Sequence, residues 1–487
     1  MWRRILGSAW ARVLLSSIGL CALCVMSGVG YVGYIRWSHS AAIALTPLHI
    51  AYRVADLGET TLAPAGDFEV PDGHIARINS YGQIAGNLGD LPFLWTPTTT
   101  HSSSGARLDF RTVLTAQERQ LASQADRKLP ERSIYVTAIN AYGQVAGYIA
   151  TDAFRSYGGL PFLWTPTQPH GMIGVVTLLD PQAGINALER VVALNDWGQA
   201  LINPEVAGAT GQLWTPRTPD GAVGSLTIIP DYNGDTSVTM VDLNDYGQVI
   251  AESSQGGSTE DYLWTPERAH GNDGEKGLVT LLDSNNGDVQ AINDYGQVLG
   301  LTADAQSYLW TPTTAHGVTG TKTLIAPLSG DSEVELHGLS DAGVAIGTSY
   351  GQDTEPLRNL WGDSAVAWVP THPNSATGQL LSLGTIGSDS DSYGDAISSS
   401  GEALGVSCTI QHNTAPLFCQ PGAHTILWDQ RHGLHNLGSL LDQQDQRRYD
   451  VGDSKIEVMN DAGEIVLFAD TNTNQPRLVL LTPHPTS

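Results

Sequence analysis

The stretch Ala291-Ile-Asn-Asp-Tyr-Gly-Gln-Val-Leu-Gly300 constrains this chain more than any other, because imperfect copies of it punctuate the sequence from near residue 75 to near residue 468. Each copy reads as a hairpin: an apolar extended run, a polar corner, then a second apolar run. Asn is favoured at the first position of a type I turn, and Gly at the fourth accepts the left-handed conformation that lets the strand return with a bulge. The corner recurs at Asn79 to Gly82, Asn140 to Gly143, Asn195 to Gly198, Asn244 to Gly247, Asn293 to Gly296, Ser340 to Gly343, Ser398 to Gly401 and Asn460 to Gly463. These about eight units stand roughly 47 to 62 residues apart, a period that belongs to propellers and solenoids.

Four strands fit within each unit: A before the corner, B after it, C ending in Leu-Trp-Thr-Pro, and D, for example Leu278-Val-Thr-Leu-Leu-Asp283. Strand C is plain at Trp95, Trp164, Trp214, Trp264 and Trp310 and looser at Trp368, Trp428 and Leu481. The Pro that follows the early copies stops the strand, since it has no N–H for the ladder. Each Trp, large and at a fixed place, is expected to pack between neighbouring units. The last unit reaches strand C at 477–481 without a D strand after it, whereas residues 52–57 read as a D strand without a unit. The expected fold is therefore all-β, a β-propeller of about eight four-stranded blades closed by an N-terminal strand, with seven blades as the alternative.

Leu381-Ser-Leu-Gly-Thr-Ile-Gly387, Ala396-Ile-Ser-Ser-Ser-Gly-Glu-Ala-Leu-Gly405 and the repeated Ile-Asn-Asp-x-Gly-Gln-Val with Phe-Leu-Trp resemble the HAF repeats of bacterial extracellular proteins over most of residues 50–483. The His-Ala-Phe tripeptide of that family is replaced here by Leu91-Pro-Phe93, Leu160-Pro-Phe162 or Asp261-Tyr262. The resemblance implies an exported, bacterial, propeller-like protein and transfers no activity.

The amino end agrees with export. Residues 1–12 carry Arg3, Arg4 and Arg12 and read as cytoplasmic; residues 13–37 contain an apolar run of spanning length, read as a transmembrane anchor or uncleaved signal. Residues 38–50 read as a linker and 51–487 as the repeat domain. This places the domain in the periplasm on the bacterial inner membrane. Cleavage near Ala42-Ile-Ala44 is the alternative and would release it to the medium or cell surface. A formal charge of −26 excludes nucleic acid, whose phosphates need a positive face. Cys408 and Cys419 fall in one unit and suit a disulfide in an oxidising compartment.

In such a fold the A–B corners and C–D loops share one face, and both are monotonous: the C–D loops repeat Thr-Pro and then His-Gly at His170, His270 and His316. The B–C and D–A loops share the other, variable face, where ligands of rigid scaffolds usually bind. Its candidates begin with the insertion 115–133, where Thr115-x-x-Glu118 reads as a helix-capping box and Arg119, Arg127, Lys128 and Arg132, with Arg111, make a basic patch. Trp361 in the loop 349–364 suits contact with glycan or protein, or packing over its own loop. Asp231, Asn233 and Asp235, and Asp389, Asp391 and Asp395, with a weaker cousin at Asp283 to Asp288, place alternate oxygens near a Gly turn, a pattern that fits calcium or plain turn chemistry.

Catalytic motifs do not emerge. Gly347-Thr-Ser-Tyr-Gly351 matches a nucleophile elbow in letters but follows strand B instead of entering a helix, and His432 and His435 sit at the recurrent His-Gly loop position. The sequence thus favours a non-enzymatic binding scaffold for an envelope or cell-surface protein or glycan, tied to the membrane by its N-terminal helix. An envelope-polymer hydrolase or lyase, or a purely structural repeat protein, are the alternatives.

Overall fold

The computed structural model describes residues 48–486 apart from 60–75, 90, 118–133, 151–157, 182–187, 205–209, 231, 233–236, 256–257, 273–275, 285, 352–361, 411–421, 453–455 and 474. The predicted membrane span at 13–37 lies outside the described residues, among which no helix is long and apolar enough to cross a membrane.

The architecture is all-β and propeller-like. Four-stranded antiparallel sheets follow one another along the chain at 76–109, 134–178, 189–228, 237–283, 288–324, 331–382 and 391–436, each in the order A-B-C-D. An eighth is made of Ile456–Met459, Ile465–Thr471, Pro476–Pro485 and, as its D strand, Ile50–Glu59, with Tyr449–Asp450 pairing to the far end of Ile465–Thr471. The second and third sheets touch through a single pair, Glu189 with Gly159. Each sheet is open, and none among the described residues curls into a barrel.

The amino-terminal strand pairs antiparallel with the last strand from Ile50 opposite Pro485 to Glu59 opposite Arg477. It is pinned at a second edge as well: the Asp442 N–H donates to the Tyr52 carbonyl at 2.8 Å, and the Val54 N–H to Asp445 Oδ2 at 2.9 Å.

Strands B and C are apolar and buried on both faces, which places the core between sheets. Trp164 of the second sheet packs on Ala85 and Leu94 of the first. Trp214, Trp264, Trp310, Trp368 and Trp428 meet the preceding sheet in the same way. Leu481 takes the Trp position in the eighth sheet, against Leu404 and Leu427 of the seventh. Trp95 of the first sheet then packs on Val466, Leu478 and Leu480 of the eighth, so the series of inter-sheet cores returns to its start. A recurrent Gly opens strand D beneath the indole: a Cβ on Gly174 would stand 2.5 Å from Trp164 Cε2.

Two local features depart from the sequence reading. The Phe110–Ala116 helix starts after Asp109, whose side chain caps it by accepting from the Arg111 N–H; Thr115 therefore lies in its last turn, its hydroxyl donating to the Arg111 carbonyl, and is not the start of a helix. A one-residue register shift also recurs in strand A, between Val136 and Ala138 in the second sheet and at the equivalent place in every later one, a bulge that composition does not signal.

Candidate functional site

The corner face is a stitched ring. In the first unit Asn79 Oδ1 accepts from the Tyr81 and Gln83 N–H groups, which shapes the turn, while Asn79 Nδ2 donates 2.9 Å to the Asn140 carbonyl of the next corner. The same step runs from Asn140 to Asn195, Asn244, Asn293 and Ser340, and Asn460 closes back onto the Asn79 carbonyl at 3.0 Å. Carboxylates add a second stitch: Asp196, Asp245, Asp294 and Asp341 each accept an N–H from the preceding corner, at 2.7 to 3.1 Å. Burial, reinforced by Asp196, Asp294 and Asp341, pushes the Asp245 carboxyl up to about 7.

The C–D loops dock on this ring. His170 takes a left-handed conformation, φ 58°, its N–H donates to the Tyr142 carbonyl, and its ring stacks 3.9 Å from Tyr81 of the preceding unit. Trp197 with His270 and Tyr246 with His316 repeat the stack. Burial holds these three imidazoles below the usual histidine range. His432 bonds Asp429 at 2.6 Å and His435 bonds the His432 carbonyl at 3.1 Å, a local turn. Ser349 of the elbow-like motif is fully buried in strand B and donates to Asp331 Oδ2 at 2.6 Å. The corner amides and carboxylates of this face bond one another, while His270 Nδ1, His316 Nδ1 and Glu464 Oε1 are buried without a hydrogen-bond partner.

On the variable face, Trp361, Arg119, Arg127, Lys128, Arg132, Asp231, Asn233, Asp235 and Cys419 lie outside the described residues. Arg111 turns back onto Asp109 at 2.7 Å. Cys408 is fully buried at the end of its strand. The remaining acidic candidates separate. Asp389 Oδ2 accepts from Ser407 and bonds His424 Nδ1 at 2.9 Å; Asp391, fully buried, accepts the Asp363 and Ile410 N–H groups. Asp395 is the bulged residue four positions further along strand A, roughly 13 Å away at strand rise. Alternate spacing becomes distance once the segment extends as a strand. Among the described residues no three His, Cys, Asp or Glu side chains form a metal-holding group.

What the variable face does present is a cleft of about 410 Å³ between the seventh and eighth sheets. One wall is the start of strand C and the end of strand D of the seventh sheet, with His424 and Asn436; the other is the turn through Gln446, Arg447 and Arg448, with Asn472 beside it. The frame is fixed: the Thr425 hydroxyl donates to the Val451 carbonyl, and a Cβ on Gly452 would stand 2.4 Å from the Ala423 carbonyl. His424 is held through Nδ1 by Asp389. The Arg448 guanidinium lies 5.0 Å over the Tyr449 ring and 3.7 Å from Asp56, a carboxylate that Arg477 already holds at 3.0 Å. Sequence reasoning passes over this site, although Asp442-Gln-Gln-Asp-Gln-Arg-Arg-Tyr449 is the densest polar run of any D–A connection and was available as a signal.

A second constellation lies at the seam of the fourth and fifth sheets. Glu252 stands opposite Asp261, and Asp261 opposite Asp283, across three adjacent strands, with Asp288 facing them from the next sheet. Lys322 pairs with Asp283 and sits 3.8 Å over the Tyr308 ring. Asp261 is fully buried, and neither of its carboxyl oxygens has a hydrogen-bond partner. Burial, with the charges of Asp283 and Asp288, pushes its carboxyl up to about 7. Burial and a hydrogen bond shared with Asp288 push Glu252 up to about 8. No strand periodicity reveals this row, because it depends on register between strands.

No protein-family model matches the chain, and no curated protein matches it. Among solved structures it is similar to the WD40 domain of SCAP from fission yeast, with 8% identity, a TM-score of 0.43 and coverage of 90% of this chain and 98% of that one. It is also similar to the polysaccharide lyase Uly1, with 9% identity, a TM-score of 0.33 and coverage of 91% and 100%. At these values neither likeness bears on function.

Proposed function

We propose that this chain is an eight-bladed β-propeller that acts as a non-enzymatic binding scaffold, exported and held at the bacterial inner membrane through residues 13–37, and that it engages an envelope or cell-surface protein or glycan on its variable face. The cleft between the seventh and eighth sheets carries this reading. It is a concave feature among the described residues of that face, lined by two guanidinium groups, in a frame whose opposite face carries the ring of corner hydrogen bonds. The enzyme alternative would draw on paired carboxyls of raised proton affinity. One such group, Asp261 with Glu252, belongs to a seam between sheets, where Asp261 is buried; another, Asp245 beside Asp294 and Asp341, accepts corner N–H groups in the stitch of the opposite face. A Cys408–Cys419 bridge within the seventh unit belongs to the same proposal; non-reducing mass analysis showing free thiols would remove it.

The test is crosslinking of the full-length chain in its own cells, with Arg447→Glu as the control. A component of the envelope recovered with the intact chain and lost with the variant is the expected result. Equal recovery with both, or depolymerisation of an envelope glycan by the purified chain, would overturn the reading.

A further inference from the structure

We infer that the cleft between the seventh and eighth sheets binds an anionic, polyhydroxylated ligand: a sugar carrying a carboxylate or a phosphate. The inference rests on the scaffold reading and names the ligand class of its site.

Charge comes first. The chain has 24 basic against 50 acidic residues, yet two consecutive arginines, Arg447 and Arg448, open onto this one cleft. Both side chains are exposed. Arg448 reaches only the edge of Asp56, at 3.7 Å, because that carboxylate accepts from Arg477 Nε with both oxygens at 3.0 and 3.1 Å and from the Tyr449 hydroxyl at 3.3 Å. The Asp450 carboxylate, also in the lining, accepts the Gly452 N–H through Oδ1 at 2.9 Å and sets one negative charge against the two guanidinium groups. The guanidinium charge is therefore only partly answered within the chain. Guanidinium groups are suited to carboxylate and phosphate because their N–H forks match both oxygens at once.

The rest of the lining selects among anions. Asn436 and Asn472 supply amide groups, Gln446 offers its side-chain carbonyl while its Nε2 donates to the Ser439 and Leu441 carbonyls, and several wall positions are main chain, from Gly422 to Gly452. Amides and exposed peptide groups recognise hydroxyls as both donors and acceptors. An acidic peptide would look for an apolar anchor pocket. Among the described lining residues Tyr449, the one Phe, Trp or Tyr, is buried under Arg448 and offers no such anchor. The volume suits one or two sugar rings.

The experiment is calorimetric titration of the full-length chain with four probes: a hexuronate oligosaccharide, the neutral oligosaccharide of equal length, a hexose phosphate and inorganic phosphate. Wild type is compared with Arg447→Ala and with Arg447→Ala/Arg448→Ala, each checked for an unchanged melting temperature. Because Arg448 also touches Asp56, Arg447→Ala is the decisive variant. Binding of the uronate or the hexose phosphate should exceed that of the neutral oligomer at least tenfold, fall about tenfold in Arg447→Ala and weaken with salt. Preference for the uronate or for the phosphosugar identifies which anion the site reads. Equal binding of the neutral oligomer, indifference to Arg447, or inorganic phosphate binding as well as the hexose phosphate would overturn the inference. If no sugar binds while the crosslinked component still depends on Arg447, the ligand class fails and the scaffold stands.

Discussion

The first five units and the last three solve the same packing problem with different corners. In the first five, Gln83, Gln144, Gln199, Gln248 and Gln297 are fully buried, and each donates 2.9 Å to the hydroxyl of the Thr that follows the strand-C Trp. In the sixth unit that position is Val344; in the seventh and eighth it is Glu402 and Glu464. The corner Asn is also lost, to Ser340 and Ser398, whose hydroxyls still accept the N–H four residues on but have no amide to reach the next corner. Main-chain bonding substitutes: the Asp341 N–H donates to the Ser399 carbonyl at 3.1 Å. The near-identical units thus form a self-bonded frame, and the cleft opens where the copies diverge.

The largest effect should come from the end of the divergent region, where the ring closes. Removing residues 50–57 would expose the long edge of the last strand and strip Tyr52 and Leu57 from the cores on either side. A loss on the order of 5 kcal/mol, or failure to fold, is expected in denaturant titration. An unchanged midpoint would mean that the eighth sheet needs no fourth strand.

Next comes the frame itself. Gln199→Ala leaves the Asn195 amide and the Thr215 hydroxyl without their buried partner, which should cost about 2 to 4 kcal/mol. Val344→Ala removes only apolar contacts at the matching place and should cost about 1 to 2 kcal/mol. Equal losses would erase the distinction between the two regions.

Much of this fold is readable from letters, because a repeated corner and a repeated Trp impose register on everything between them. The amino-terminal strand is readable for the same reason: a D strand without a unit answers a unit without a D strand. The cleft is not, since it follows from how the 437–450 connection folds between two sheets, and no repeat predicts a segment that breaks the repeat. Strand register also redistributes the acidic residues. Asp389, Asp391 and Asp395 sit close in sequence, but extension carries Asp395 away, while Glu252, Asp261 and Asp283 sit far apart in sequence and meet through strand register.

That carboxyl row shows that the regular region is more than a frame. A carboxyl whose folded-state affinity is raised binds a proton that the unfolded chain releases, so stability declines as pH rises from the ordinary carboxylate range to the raised value and is flat above it. For Asp261 the window runs from the ordinary aspartate value, 3.8, to about 7, and for Glu252 from the ordinary glutamate value, 4.5, to about 8. Each contributes at most ~1.4 kcal/mol per pH unit inside its window. Asp261→Asn should therefore flatten the fall in melting temperature across that window and raise it at pH 8. An unaltered slope would mean that the seam carries its charges without penalty.

The smallest effect is the most discriminating. Glu464 stands where the first five units have Gln; its Oε2 bonds His101 Nδ1 at 2.9 Å, but its Oε1 and the hydroxyl of Thr482 are both buried without a hydrogen-bond partner. Thr482 is the residue after the strand-C apolar position, the place of the Thr that accepts from Gln in the other units. Glu464→Gln supplies the missing donor while keeping an oxygen toward His101, as Gln83 Oε1 does for His170 at 3.3 Å. The variant should be more stable by about 0.5 to 1.5 kcal/mol at neutral pH, the net worth of one buried hydrogen bond, read by denaturant titration. A loss of that size instead would show that the charge of Glu464 holds the seam of the eighth and first sheets, and that the last units have replaced the amide network with an ion pair and not merely let it decay.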